Sequence, residues 1–267
     1  MYRKTILITG ATEGIGKLAA TDLANQFKDA SILIHGRNKE KLETVSEQIK
    51  EKTGNGHIET YLADFSSLEE VRKMSGEILA EHDSLDLLIN NAGAGFSAPR
   101  FGKDGTETRF TVNYLAPFLL THLLLPVIQK TVSSRIVNVA SAGQSPIHFD
   151  DIMMDKNFDG VTAYTRSKLA IIMFTFDLAE NLKTTTANCL HPGTYLDTGM
   201  VREAGIHPLG TAQSGADALI YLATSPGLKN TSGKYFNVKT EARANAQAYD
   251  VTARRKLEEI GLQITNL

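Results

Sequence analysis

Short apolar, β-branched runs alternate with helix-like runs along nearly the whole chain, and this order constrains the fold more than any single motif. Residues 5–9, 31–35, 58–62, 85–89, 135–140, 186–190 and 234–238 read as strands. Residues 14–27, 39–53, 67–81, 106–130, 161–182 and 214–223 read as helices, with a last helix expected at 242–260. Strands separated by helices of this length must run parallel, with helices covering both faces of the sheet. No repeat and no Pro/Gly/Ser-rich linker divides the chain. The expectation is an α/β fold, a single-domain Rossmann-type doubly wound parallel sheet over residues 1–267.

Composition narrows the classes. Hydrophobic residues make up 42% of 267 and charged residues 22%, so a chain of this size can bury roughly three quarters of its unfolded surface. A net charge of −2 gives no electrostatic case for nucleic acid. Cys189 is the only cysteine. It excludes an internal disulfide and a cysteine-based zinc site, and it reads as a small buried apolar residue. No metal site is expected. The first residues show no basic stretch followed by an apolar run and a cleavage site. The longest apolar run, 115–128, contains Pro117 and Pro126 and is shorter than the about 20 residues of a membrane span. These features predict a cytoplasmic protein without a membrane anchor.

Ligands of open parallel sheets bind beyond the carboxyl ends of the strands. Here Gly10 follows the first strand, Arg37 the second, Asp64 the third and Asn90-Asn91-Ala92-Gly93 the fourth. Ser141 follows the fifth and Pro192-Gly193 the sixth. Gly10, Gly14 and Gly16 suit a turn that must bend sharply, approach a pyrophosphate and seat a helix whose free N–H groups face the phosphates. Arg37 stands where an acid would bind a free ribose 2′-hydroxyl. Its guanidinium matches a 2′-phosphate instead, which predicts NADP(H) as the preferred cofactor, with NAD(H) possible. Glu13, in the glycine-rich turn, either repels that phosphate, points to solvent or pairs with Arg37. Asp64 either accepts from the adenine amino group or caps the following helix. Asn90 and Asn91 brace the turn while Ala92 and Gly93 leave room for a ribose.

In Tyr164-Thr165-Arg166-Ser167-Lys168 the phenol and the ammonium are four residues apart, one turn along one helical face. An ammonium beside a phenol favours the phenolate, and such a tyrosine can exchange a proton with an alcohol oxygen.

These elements together resemble the classical short-chain dehydrogenase/reductase family. The match runs through residues 9–16, 90–93, Asn113, Ser141, Tyr164 with Lys168, and Pro192-Gly193, in family order over nearly the whole chain. The closer resemblance is to the retinol-dehydrogenase-like branch, through residues 112–121, 135–141, 167–170 and 190–194. It implies Tyr164 as general acid in reduction and general base in oxidation. It implies Lys168 lowering the tyrosine pKa and bonding the nicotinamide ribose. It further implies Ser141 holding the substrate oxygen and Asn113 organising a water that links Lys168 to solvent.

The expected cofactor contacts are Gly10, Thr12, Glu13, Gly14, Ile15, Gly16, Arg37, Asn38, Asp64, Phe65, Asn91, Ala92, Gly93, Tyr164, Lys168, Pro192 and Gly193. Residues 142–163 form a longer insert than most members of the family carry, and the retinol-like branch shares it. Membrane-bound members carry an N-terminal anchor that this chain lacks, so a retinoid substrate is not implied.

Phe96, Met153, Met154, Tyr195, Met200, Val201, Ile206 and Leu209 supply an apolar substrate side, with 193–210 as a lid. The partner expected is a small apolar carbonyl or alcohol, and a homo-oligomer is possible. Two other readings keep the same fold: a nucleotide-sensing regulator without turnover, and an interaction module that docks through the last helix. The set Asn113, Ser141, Tyr164 and Lys168 argues against a pure binder, which needs no proton relay.

Overall fold

A computed structural model describes residues 3–267. Its first strand, β1 (Thr5–Ile8), leads into α1 (Gly14–Gln26), followed by β2 (Ser31–Gly36), α2 (Lys39–Thr53), β3 (Ile58–Leu62), α3 (Leu68–Glu81) and β4 (Leu87–Asn90). After a loop come α4 (Thr108–Phe110), a π-helical stretch (Thr111–Leu115), α5 (Ala116–Ile128), β5 (Arg135–Val139), α6 (Gly160–Asn181) and β6 (Thr186–His191). The chain closes with α7 (Gly199–Glu203), α8 (Ala212–Thr224), β7 (Lys234–Asn237), β8 (Thr240–Ala242) and α9 (Val251–Thr265).

The eight strands form one sheet in the order β3-β2-β1-β4-β5-β6-β7-β8. All neighbours are parallel except β7 and β8. The order reverses between β1 and β4, which opens a crevice there.

Period-two alternation sends side chains to opposite faces. Ile6, Ile8, Ile32, Ile34 and Ile89 pack beneath α1, α2 and α8. Leu7, Leu33, Leu88 and Ile136 pack beneath α3, α5, α6 and α9. Both faces are therefore dry, as a parallel sheet requires. Cys189 lies fully buried on β6, and burial pushes its thiol up to about 12, as its strand position predicts.

Two helices differ from the sequence expectation. The long helix at 106–130 starts at Thr108, ends at Ile128 and carries a π turn over Thr111–Leu115, with the Ala116 N–H bonded to the Thr111 carbonyl. The continuous helical run Thr108–Ile128 is long and apolar enough to cross a membrane, but most of it is buried inside the molecule. Pro117 lies inside this continuous run, directly after the π turn.

The last helix starts at Val251, not 242. Residues 240–242 turn back antiparallel onto β7, and Asp250 caps α9 by accepting from the N–H groups of Thr252 (2.9 Å) and Ala253 (3.2 Å). Between β8 and Asp250 the chain makes only a 3-10 turn, Ala246–Tyr249, begun by Asn245 accepting from the Gln247 N–H. α9 lies on its own chain: Leu257 accepts from the Tyr114 hydroxyl (3.0 Å), and buried Arg254 pairs with Asp177 (3.1 Å) and Glu180 (2.7 Å).

Candidate active site

The glycine-rich turn leaves β1 with Gly10 in the left-handed region (φ +65°). A Cβ on Gly16 would lie 2.2 Å from the Gly10 carbonyl oxygen, so no side chain fits there. The turn is tied to β4 from both sides. Thr9 Oγ accepts from the N–H groups of Asn91 and Ala92, both at 3.0 Å. Asn91 Nδ2 donates to the carbonyls of Thr9 (2.9 Å) and Gly10 (3.0 Å). Asn90 turns inward to Thr121 and Asn138. The bracing expected of this pair is therefore present, with Gly93 left open beside it.

His35 completes the turn, and sequence reasoning assigned it no role. Its Nδ1 accepts from the Gly10 N–H (3.1 Å) and its Nε2 bonds the Ala63 carbonyl (3.0 Å). The ring is buried and stacks on Phe65 at 4.0 Å. Burial lowers its pKa to about 4, so the imidazole is neutral and links β1, β2 and the end of β3. Phe65 is spent on this stack. Its side chain is buried.

Beyond β2, Arg37 is exposed. Asn38 caps α2 by accepting from the Lys41 N–H (2.9 Å). Glu13 pairs with Lys41 (3.5 Å), not with Arg37. Thr12 packs against Gly36, where a Cβ would lie 2.4 Å from its methyl group. Asp64 accepts from the Ser66 N–H (3.0 Å) and pairs with Lys103 (3.5 Å). Burial raises its carboxyl, but the bonds from Ser66, with Lys103 and Arg37 nearby, bring it below the usual carboxylate range. It forms a turn before α3 and does not cap that helix, since the Leu68 N–H goes to Asp104.

The second half of the site converges where β5 meets α6. Asp159 caps α6 through the Thr162 N–H (2.8 Å), and Tyr164 and Lys168 follow on one face. Ser141, just past β5, is buried, accepts from the Gly143 N–H (3.1 Å) and is hydrogen-bonded to the Tyr164 hydroxyl. Lys168 Nζ lies 5.8 Å from the centre of the Tyr164 ring and donates to the Val139 carbonyl (3.0 Å). Burial lowers its pKa to about 8. Burial also raises the Tyr164 phenol above its ordinary value, while the Ser141 bond works the other way. The expectation that Lys168 draws the phenol down is not met: desolvation is the largest cause of the Tyr164 shift, and the ammonium donates to a main-chain carbonyl.

Asn113 sits in the π turn, a distortion common at functional sites. Its Oδ1 accepts from the Ala94 N–H (2.8 Å), and its Nδ2 donates to the Ala94 carbonyl (3.0 Å) and Ser167 Oγ (2.9 Å). Ser167 in turn donates to the Tyr164 carbonyl (2.7 Å). Asn113 thus joins the loop after β4 to the helix that carries Tyr164.

Segment 193–210 closes on itself. The Asp197 N–H bonds the Gly210 carbonyl and the Leu209 N–H the Tyr195 carbonyl, both at 2.8 Å. Leu196 is buried against positions 193, 210 and 215. α7 within it reaches the site: a Cβ on Gly14 would meet the Thr198 methyl at 3.3 Å, one on Gly199 would meet Glu13 at 2.8 Å, and one on Gly95 would meet Met200 at 2.6 Å. Phe96 meets the Tyr164 ring edge-on at 5.8 Å. Tyr195 and Leu209 are exposed, and Met154 is buried.

Comparison with known proteins gives a consistent picture. The short chain dehydrogenase family matches over residues 4–208. Human retinol dehydrogenase 13 is 35% identical, over 95% of this chain and 82% of its own length. Among solved structures, an uncharacterized protein from Mycobacterium paratuberculosis superposes with a TM-score of 0.80 at 26% identity, covering 98% of this chain and 93% of the other. A short chain dehydrogenase from Shigella flexneri 2a, solved in complex with NADP, gives 0.70 at 27% identity, covering 88% and 97%.

Proposed function

The chain belongs to the short-chain dehydrogenase family and is a nicotinamide-dependent oxidoreductase acting on CH–OH/C=O groups; on that premise we propose that it interconverts an aldehyde or ketone and an alcohol with NADP(H), Tyr164 carrying the proton. The observation behind this reading is the convergence of Tyr164, Ser141 and Lys168 beside Gly93, at the strand end next to the sheet's switch point.

The residues fit the cofactor. Gly10 and Gly14 both lie at positive φ, and a Cβ on Gly93 would lie 3.2 Å from Asn113 Oδ1 and 3.6 Å from Lys168 Nζ. The glycines of residues 10–16 and Gly93 keep the main chain of these strand ends free of long side chains, which supports a backbone-hugging dinucleotide, and Arg37 and Lys41 stand at the β2 end. Solved relatives bound to NADP support the preference. Asp64, Pro192 and Gly193 flank the same crevice. The bound nicotinamide supplies the hydride chemistry.

Tyr164, raised by burial, is a neutral phenol at neutral pH and holds the proton that a carbonyl reduction consumes. Ser141, bonded to the same hydroxyl, aims a second donor at the substrate oxygen as negative charge develops on it. Lys168, at about 8, remains an ammonium at pH 7 and keeps a positive charge beside the pair. Asn113 holds the loop and helix in register.

Phe96 and Met200 form an apolar wall, which supports an apolar substrate, as does a relative named for retinol. The continuous sheet supports one domain. The burial of Thr108–Ile128 supports its being a core helix and not a membrane span.

The test is a panel of aldehydes and ketones with NADPH, followed by loss of absorbance at the reduced-nicotinamide band. Tyr164→Phe should lower turnover by at least ~10²-fold while equilibrium cofactor binding persists. Near-normal turnover in that variant would remove Tyr164 from the mechanism.

A further inference from the structure

Arg109 is the largest side chain that is almost completely buried, at 1% exposure, and its partner Glu107 is at 2%. A buried guanidinium is costly unless it is paired, and here the two terminal nitrogens make the bonds while Nε, also buried, has no partner. Nη1 donates to Glu107 Oε1 (2.8 Å) and to the Pro99 carbonyl (3.2 Å). Nη2 donates to the carbonyls of Phe96 (2.9 Å) and Ala98. Three of these four acceptors are main-chain oxygens of one stretch, residues 96–99, which contains no helix or strand. The other Glu107 oxygen is fixed by the Phe110 N–H (2.7 Å). The guanidinium also lies over the Phe158 ring, 5.3 Å from its centre.

The clamped loop presses on the helix that carries Tyr164. Gly160 is the first residue of α6, and a Cβ there would lie 2.6 Å from the Phe96 carbonyl oxygen and 3.3 Å from Arg109 Nη2. One turn later the Phe96 and Tyr164 rings meet at 87°.

We infer that Arg109 is a positioning residue for Tyr164: by holding the carbonyls of residues 96, 98 and 99 it keeps the Phe96 ring against the phenol and shuts water out on the substrate side. The inference rests on the reading of Tyr164 as proton carrier only for its catalytic meaning. The geometry stands apart from it. Burial is the largest cause of the raised Tyr164 phenol, and the Phe96 ring is part of that burial. The charged groups nearby are Lys168 on the same helix, Asp159 at its cap, and the Arg109–Glu107 pair. Of these, only Lys168 has been placed against the Tyr164 ring.

The experiment labels the full-length protein with tyrosine carrying ¹³C at Cζ and follows ionisation by NMR, with the Tyr164 signal assigned from its loss in Tyr164→Phe. Phe96→Ala removes the ring and keeps the clamp; Arg109→Gln removes the clamp and keeps the ring. Both should raise the ionised fraction of Tyr164 at pH 10 by about threefold or more, the change expected when a buried phenol gains water. The double variant should go no further than the larger single change, because both act through one contact. If Arg109→Gln folds and Tyr164 titrates as in the wild type, Arg109 is merely structural. If Arg109→Gln does not fold, an unchanged Tyr164 signal in Phe96→Ala overturns the proposal equally. Turnover is measured separately with decanal and NADPH. Retained turnover in Tyr164→Phe would sink the catalytic reading and leave the titration result intact.

Discussion

Thr9 and Asn91 hold each other reciprocally: the Thr9 hydroxyl accepts the Asn91 N–H, and the Asn91 amide donates back to the Thr9 carbonyl. The exchange spans the point where strand order reverses, so the glycine-rich turn is tethered to β4 before any ligand arrives. Thr9→Val keeps the shape and removes the acceptor, leaving the N–H groups of Asn91 and Ala92 unmet. A loss of about 1–3 kcal/mol in unfolding free energy is expected. Cofactor affinity should weaken in parallel, read by denaturant titration and by NADPH fluorescence on the same protein. Unchanged values for both would mean the clasp is redundant.

Arg37 and Lys41 set the second expectation. Arg37→Asp should shift the NADPH-over-NADH binding preference towards NADH by about 1–3 kcal/mol, the scale of a charge-assisted bond. Glu13 is paired with Lys41, so Glu13→Gln should free that ammonium and strengthen NADPH binding without changing NADH. Dissociation constants for both nucleotides at two salt concentrations decide the matter. A wild type that prefers NADH would refute the cofactor assignment.

Lys168 sets stability against activity. Its folded pKa of about 8 lies below the ordinary 10.5, so the unfolded chain binds more protons between those values, and stability should rise as pH climbs from 8 to 10.5. At neutral pH the buried charge opposes folding. Lys168→Met should therefore stabilise the protein by roughly 1–3 kcal/mol at pH 7, flatten that alkaline rise and depress turnover. A variant less stable than wild type at pH 7 would contradict this.

His35 works at the other end of the pH scale. Its folded pKa of about 4 lies below the ordinary 6.5. The unfolded chain therefore takes up the proton first, and stability should fall as pH drops from 6.5 to 4, by up to about 3 kcal/mol. Protonation would also break the acceptor bond to Gly10. His35→Gln should remove most of that slope, measured by denaturant unfolding across the window.

The alternation of apolar runs with helical runs revealed the parallel sheet because strands dry on both faces are apolar throughout, and the ends of those strands located Gly10, Asn91, Ser141 and Pro192 without further help. Tyr164 and Lys168 were legible because four residues is one helical turn. What stayed hidden depends on tertiary contact. Nothing local in residues 31–36 says that His35 will reach the Gly10 N–H, and the sign of the Tyr164 shift follows from how much water Phe96 and its neighbours exclude. Nothing in the sequence singles out Arg109, because three of its four acceptors are main-chain carbonyls, which carry no sequence identity. The last helix was expected at 242 but starts at Val251, because β7 pairs with 240–242 and a 3-10 turn at Ala246–Tyr249 precedes the Asp250 cap.

The return of β8 onto β7 has a consequence for the molecule's company. The strand is three residues long, runs against the rest of the sheet, and carries an ion pair across the hairpin between Lys234 and Glu241 at 3.0 Å. Short, charged edges discourage the addition of another chain. On that side the sheet is finished, and a second copy approaching it would have to be recognised through side chains, by identity, rather than captured through backbone that any sequence can offer.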